Sequence, residues 1–299
     1  MKKIYVAGAG GMLGDAIYKV FKDDYELLCT DKNVTDDWVN YLDFRDFYMY
    51  RKDVIEFNPD YLFHIGAYTD LEWCEEHKDE TMLVNAICVE TAVEIANELD
   101  IPIVYISTAG IFDGNKPEFD ELDTPNPLDM YAKGKYGGER YVIEHAKKYY
   151  IFRAGWMMGG GPRKDKKFIQ KIMKQLKDGA KELFVVNDKD GTPTYTIDFS
   201  RTLKAVIENG MYGLYNCVCG GLTSRLEVCE ELLKILGLED KVKITEVTSD
   251  YFKDEYFANR PPNERLINRR LNIFGLNMMR PWKEALAEYV NEYYKNYLD

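Results

Sequence analysis

The chain has 299 residues, 46% of them hydrophobic, enough for a large core arranged as one α/β unit or two lobes. Its 39 Lys and Arg face 51 Asp and Glu, a formal net charge of -12, which argues against nucleic acid or an anionic membrane surface as partner. Six scattered cysteines and three histidines complete no zinc spacing, no apolar stretch is long enough to span a bilayer, and Gly8, Gly10, Gly11 and Gly14 interrupt any signal-like run. The expectation is a soluble cytoplasmic protein with reduced thiols, no metal and no membrane contact.

Ile4 to Ala7 reads as a short buried strand, followed by Gly8, Gly11 and Gly14 at three-residue intervals and then by a helical pattern. Leu13, Ile17, Val20 and Phe21 fall on one face of that helix. A strand turning through glycines into a helix aims unpaired N–H groups, backed by the helix dipole, at the space above the turn. Those donors suit a diphosphate, so the stretch predicts a dinucleotide site. Tyr25 to Thr30 is the second predicted strand, and Asp31 ends it. An acid there can accept hydrogen bonds from ribose hydroxyls and repel a 2′-phosphate, which favours NAD(H) and leaves NADP(H) as the second choice.

Asp46 to Phe57 predicts a helix broken at Asn58-Pro59, and Tyr61 to Ile65 a strand that opens into the small residues Gly66 and Ala67. A helix through Val84, Ile87, Ala92, Val93 and Ala96 leads to a strand from Ile103 to Thr108. This alternation implies βαβ units, hence a Rossmann-type doubly wound parallel sheet, with a smaller mixed α/β C-terminal substrate lobe. Ser224 and Glu227 form a predicted capping box, and Trp282, Ala285, Leu286, Tyr289, Val290 and Tyr293 mark the core face of a last helix.

Tyr131 and Lys135 lie four residues apart, on one face of a helix that Asn126-Pro127 would start. A cation near a phenol stabilises phenolate and lowers the tyrosine pKa, so the pair can move a proton to or from a carbonyl oxygen while a nicotinamide exchanges hydride. Tyr18/Lys22 and Tyr48/Lys52 share the interval. Only Tyr131/Lys135 follows the Ser107-Thr108 strand end, where another hydroxyl can hold the carbonyl. Gly134, Gly137 and Gly138 each cost this helix about 1 kcal/mol against alanine, a cost that suits tight packing on a neighbour. His64 reads as a core histidine.

These motifs, with Phe112-Asp113-Gly114, Phe152-Arg153-Ala154-Gly155-Trp156, Asn187 to Thr194, Arg260-Pro261-Pro262-Asn263 and Arg280-Pro281-Trp282, follow the order of extended short-chain dehydrogenases/reductases. The chain most resembles the dTDP-4-dehydrorhamnose reductase family. That resemblance implies reduction of the 4-keto carbon of a nucleotide-diphosphate 4-keto-6-deoxy sugar by NAD(P)H, as in rhamnose biosynthesis. It implies Thr108, Tyr131 and Lys135 as catalytic residues. It places Gly8, Gly11, Met12, Leu13, Gly14, Asp31, Asp43, Phe44, Gly66 and Ala67, with Tyr131 and Lys135, on the cofactor, and Thr69, Leu71, Trp156 and Arg260 on the nucleotide-sugar substrate. A homodimer is left open.

The chain departs from the family beside the catalytic threonine. Where the family usually has Asp-Tyr, this sequence has Ala109-Gly110, and Gly155 replaces a usual serine. The same scaffold also carries sugar-nucleotide epimerases and dehydratases, which need an extra acid or base near Thr108, and a non-catalytic dinucleotide-binding subunit of methionine adenosyltransferase. The expected division is a cofactor domain over residues 1-156, rejoined by a segment near 187-216, and a substrate lobe from 157-186 and 217-299. The basic run Pro162 to Lys167 is either a counter-charge for the substrate diphosphate or a solvated face.

Overall fold

The computed structural model describes residues 1–298. Six strands, β1 (Lys2–Ala7), β2 (Tyr25–Asp31), β3 (Val39–Tyr41), β4 (Tyr61–His64), β5 (Ile103–Thr108) and β6 (Tyr149–Ala154), join a later strand, Gly213–Asn216, in one sheet. The spatial order is β3-β2-β1-β4-β5-β6, with Gly213–Asn216 outside β6, and every pairing is parallel. Chain order reverses between β1 and β4, the crevice where open α/β sheets bind ligands. Strands covered on both faces should be apolar without alternation, and Ile4, Tyr5, Val6 and Ala7 are all fully buried.

Helices α1 (Met12–Phe21), α2 (Phe47–Phe57), α3 (Leu71–Glu76), α4 (Lys78–Met82), α5 (Cys88–Glu98) and α6 (Met130–His145) fill the early crossovers. Helix α2 starts where the sequence places it, with Asp46 accepting from Met49 N at 3.0 Å, and ends on Asn58 in the left-handed region at φ 52°. Two expectations need correction. The helix expected through Val84 to Ala96 is α4 and α5 joined by one π-helical turn, Leu83–Ile87. The helix that carries Tyr131 and Lys135 begins at Met130 rather than at Asn126-Pro127, because Asp129 caps it, accepting from Ala132 N at 2.7 Å.

The remaining strands form three small sheets. Glu182–Val186 pairs with Lys243–Val247. Pro193–Tyr195 pairs with Trp156–Met158, and Asp190–Gly191 lies between Thr223–Ser224 and Asn263–Glu264. These pairings bring Trp156, Gly191 and Glu264 together from distant sequence positions. The Ser224–Glu227 capping box is present in both directions, at 3.2 and 2.8 Å. Trp282, Ala285, Leu286, Tyr289 and Val290 bury one face of the last helix in a core cluster that also holds Ile4 and Val6 of β1. No helix among the described residues is long and apolar enough to cross a membrane.

Candidate active site

The glycine turn is shaped by contacts that a side chain would break. Gly8 has φ +91°, and a Cβ there would lie 2.2 Å from Gly66 Cα; a Cβ on Gly14 would meet Ala9 O at 2.0 Å. Gly11 differs, with nothing within 4 Å of the same position. It is the N-cap of the ten-residue α1, so the first N–H groups of the helix, from Met12 and Leu13 onward, have no capping side chain at Gly11. A cradle of backbone donors with room for an anion fits a dinucleotide diphosphate.

Asp31 stands beside this turn, accepting from Gly10 N at 3.0 Å and Asn33 N at 2.8 Å. A carboxylate has about four lone-pair sites, so both bonds leave capacity for ribose hydroxyls. Nearby cations are engaged elsewhere. Lys32 reaches Tyr68 Oη at 3.1 Å, and Arg45 grips Asp43, whose carboxyl it holds below the usual range. Phe44 lies under Gly66, where a Cβ would be 2.5 Å from its ring. Ala67 follows on the loop that carries Tyr68 and Thr69.

Thr108 ends β5, and its Oγ1 accepts from Gly110 N at 3.1 Å. The hydroxyl proton is therefore free to point outward. Tyr131 is the second residue of α6 and half-buried. Burial raises its pKa well above that of a free phenol, the Thr108 hydroxyl opposes this, and the charges of Asp129 and Glu264 add to the rise. Lys135 is 3% exposed, its Nζ 4.2 Å from the centre of the Tyr105 ring. Burial pulls its pKa down to about 7, against the pull of Glu139. Burial thus keeps the Tyr131 phenol protonated at neutral pH.

The glycines of α6 explain how this pair is held. A Cβ at Gly134 would lie 2.9 Å from Asn85 Cβ, and one at Gly138 would lie 2.6 Å from Tyr105 Oη. The helix thus packs closely on the π-helical turn, and Tyr105 donates to Lys135 O at 2.9 Å. Asn85, within that turn, is fully buried and clamps the Gly66–Thr69 loop, accepting from Tyr68 N and donating to Tyr68 O, both at 2.9 Å. Sequence reasoning missed Asn85, although a polar residue on the apolar face between Val84 and Ile87 was its signal. His64 is fully buried, donor or acceptor to Tyr50 Oη at 3.1 Å, and desolvation drops its pKa to about 3, so it serves as no base at neutral pH.

On the sugar side, Thr69 is exposed and Leu71 opens α3. Trp156 Nε1 donates to Glu264 Oε2 at 2.8 Å, and the Arg225 guanidinium stacks 3.7 Å from the Trp156 ring centre. Neither Glu264 nor Arg225 was singled out in the sequence, because only the three-stranded sheet brings them here. Arg260 forms a bidentate pair with Glu72, at 2.5 and 2.7 Å, beside Leu71, which ties the late loop to α3. The basic run also divides. Arg163 donates to Thr35 O at 2.9 Å, Lys164 pairs with Asp36 at 2.6 Å, Lys166 is exposed, and Lys167 alone reaches Thr69 O, at 2.8 Å.

Comparison with known proteins accords with this geometry. The RmlD substrate binding domain family matches residues 1–295. The chain is 30% identical to the spore coat polysaccharide biosynthesis protein SpsK of Bacillus subtilis (strain 168), over 98% of each chain. Among solved structures it resembles a dTDP-4-dehydrorhamnose reductase of Clostridium acetobutylicum ATCC 824 (TM-score 0.86, 32% identity, 97% of this chain and 99% of that one). It also resembles the dTDP-4-dehydrorhamnose reductase of Bacillus anthracis str. Ames in complex with NADP (TM-score 0.87, 27% identity, the same coverage).

Proposed function

Because the chain belongs to the RmlD substrate binding domain family, we propose that it is an NAD(P)H-dependent reductase of a nucleotide-diphosphate 4-keto-6-deoxy sugar. The observation that carries this reading is the Tyr131 phenol against the Thr108 hydroxyl at the C-terminal end of β5, with Lys135 one turn further along α6, at the same edge of the sheet as the glycine turn after β1. The cofactor, held by Gly8 to Gly14, Asp31, Asp43, Phe44, Gly66 and Ala67, would supply hydride to the ketone carbon. Thr108, its oxygen occupied by Gly110 N–H, turns its own O–H to the ketone oxygen. Tyr131 gives its proton to that oxygen as negative charge builds there. Lys135, in its ammonium form, donates to the ribose hydroxyls. Thr69, Leu71 and Trp156 line the sugar. Purified chain mixed with dTDP-4-dehydrorhamnose should oxidise NADH or NADPH; binding of cofactor without turnover would overturn the reductase reading and leave a binding subunit.

Asp31 gives this reading its cofactor preference. Arg45 is paired with Asp43 and Lys32 hydrogen-bonds Tyr68, while the Asp31 carboxylate beside the turn would repel a 2′-phosphate. At the distances of a ribose contact, this is worth roughly a factor of ten in kcat/KM for NADH over NADPH. Asp31→Asn should narrow the ratio, read from initial rates with each cofactor; preference for NADPH by the unaltered chain would reverse the assignment.

The Lys135 pKa of about 7 sets a pH dependence with a definite sign. The ammonium form is the ribose donor, and it is lost as pH rises through the depressed pKa. For the free enzyme, kcat/KM for the cofactor should therefore fall above about pH 7, where an ordinary lysine would stay charged to about pH 10. A profile flat to pH 9 would show that Lys135 keeps its proton or does not act through it.

A further inference from the structure

The acid absent from position 109 has a counterpart in space. A Cβ on Gly110 would lie 3.3 Å from Glu264 Oε1 and 3.5 Å from Thr108 Oγ1, so the carboxylate and the threonine hydroxyl border one small volume beside the ketone-binding position. Glu264 comes from the opposite end of the chain, on the strand Asn263–Glu264, which runs parallel to Asp190–Gly191. Its aim is fixed. Oε2 accepts from Trp156 Nε1 at 2.8 Å, and the Trp156 ring lies so flat on Gly191 that a Cβ there would stand 2.3 Å from it. Arg225 covers the Trp156 ring at 3.7 Å. Among the described residues no side chain or backbone N–H donates to Oε1. The charge of Glu264 is felt by Tyr131 and Asp129 on the α6 side and by Arg225 on the other, so it faces the space between them.

A carboxylate oxygen pointed into a sugar pocket without a protein donor is a receptor for a hydroxyl or an ammonium group. We propose that Glu264 contacts the substrate: its Oε1 accepts a hydrogen bond from a hydroxyl or amino substituent on the ring carbon next to the reacting carbonyl, in place of the acid missing at Ala109. A ring that presents its carbonyl oxygen to Thr108 turns the neighbouring substituent toward Oε1, since both oxygens flank the same point. This assignment rests on the sugar-nucleotide reductase reading and makes Glu264 a specificity residue. Gly110 is small because the Glu264 side chain uses the room above it.

The test compares Glu264→Gln and Glu264→Ala with the unaltered chain on two probes, dTDP-4-dehydrorhamnose and its 3-deoxy analogue. The unaltered chain should prefer the hydroxylated sugar. Glu264→Gln, which can still accept from Trp156, should lower kcat/KM for that sugar about 10-fold, and Glu264→Ala about 100-fold, the range for a hydrogen bond to a charged group. For Glu264→Gln, which keeps the Trp156 acceptor, rates with the 3-deoxy analogue and KM for NADH should stay within about twofold, which a general loss of structure would not allow. An equal fall for both sugars, or none for either, would overturn the proposal. Equilibrium binding of both sugars to the NAD-loaded chain keeps the two readings apart. Binding without turnover would sink the reductase reading, while the same Glu264→Ala loss for the hydroxylated sugar alone would still support the contact; binding of neither sugar would overturn both.

Discussion

Replacing Tyr131 with phenylalanine should lower kcat by about two to four orders of magnitude while cofactor affinity is nearly kept. The phenol is the one group at the site that burial keeps protonated at neutral pH and that lies against the Thr108 hydroxyl. Without it the ketone oxygen gains negative charge with no proton to meet it. The substitution removes one oxygen and leaves α6 intact, because the helix is anchored elsewhere, by the Asp129 cap and by Tyr105 on Lys135 O. Single-turnover oxidation of bound NADH measures the effect directly. A rate reduced less than about tenfold would take the proton-donor role from Tyr131.

The second large effect is structural and comes from Gly8. An alanine there must hold φ +91° and place its Cβ 2.2 Å from Gly66 Cα and 2.3 Å from Gly66 N. Both obstacles are backbone, so no rotamer change relieves them, and β1 and the Gly66 loop must separate. Strain and overpacking together should cost about 2–4 kcal/mol of stability, with dinucleotide affinity lost as well. Gly11→Ala is the matching control. It meets no protein atom within 4 Å and should change stability by less than about 1 kcal/mol. Its affinity for the dinucleotide should still fall more than tenfold, since the added methyl occupies the diphosphate's place. Chemical denaturation and cofactor titration of both variants separate the two roles; equal affinity in Gly11→Ala and the unaltered chain would mean that the anion does not lie over the turn.

Both expectations start from features that are local in sequence, and such features were the legible ones. The glycine turn, Asp31 at the end of β2, Thr108 at the end of β5 and the Tyr131–Lys135 pair are each set by residues a few positions apart, with apolar periodicity to place them on strands or helices. What escaped was non-local. The π-helical turn around Asn85 packs against Gly134 and Gly138 of α6, far along the chain. The pairing of Arg260 with Glu72 joins residues far apart in the chain, and only the fold shows it. Glu264 reads as one more surface acid in a chain of net charge -12, and only the pairing of Asn263–Glu264 with Asp190–Gly191 turns it toward Thr108. For the Tyr131 phenol the sequence places the neighbouring Lys135, while the burial that raises its pKa belongs to the packed site.

The returning strand Gly213–Asn216 has a consequence for how the chain is made. On the ribosome, β6 is synthesised well before the segment that covers its outer edge, so for an interval its backbone donors and acceptors have no partner on that side. The edge is apolar, with Tyr150, Ile151 and Phe152 all buried in the finished sheet. An unpaired apolar strand edge is a template for adhesion between nascent chains. A fragment ending after Trp156 keeps every residue proposed for the cofactor, yet it should aggregate rather than bind, and its yield should recover when the chain is extended past Asn216.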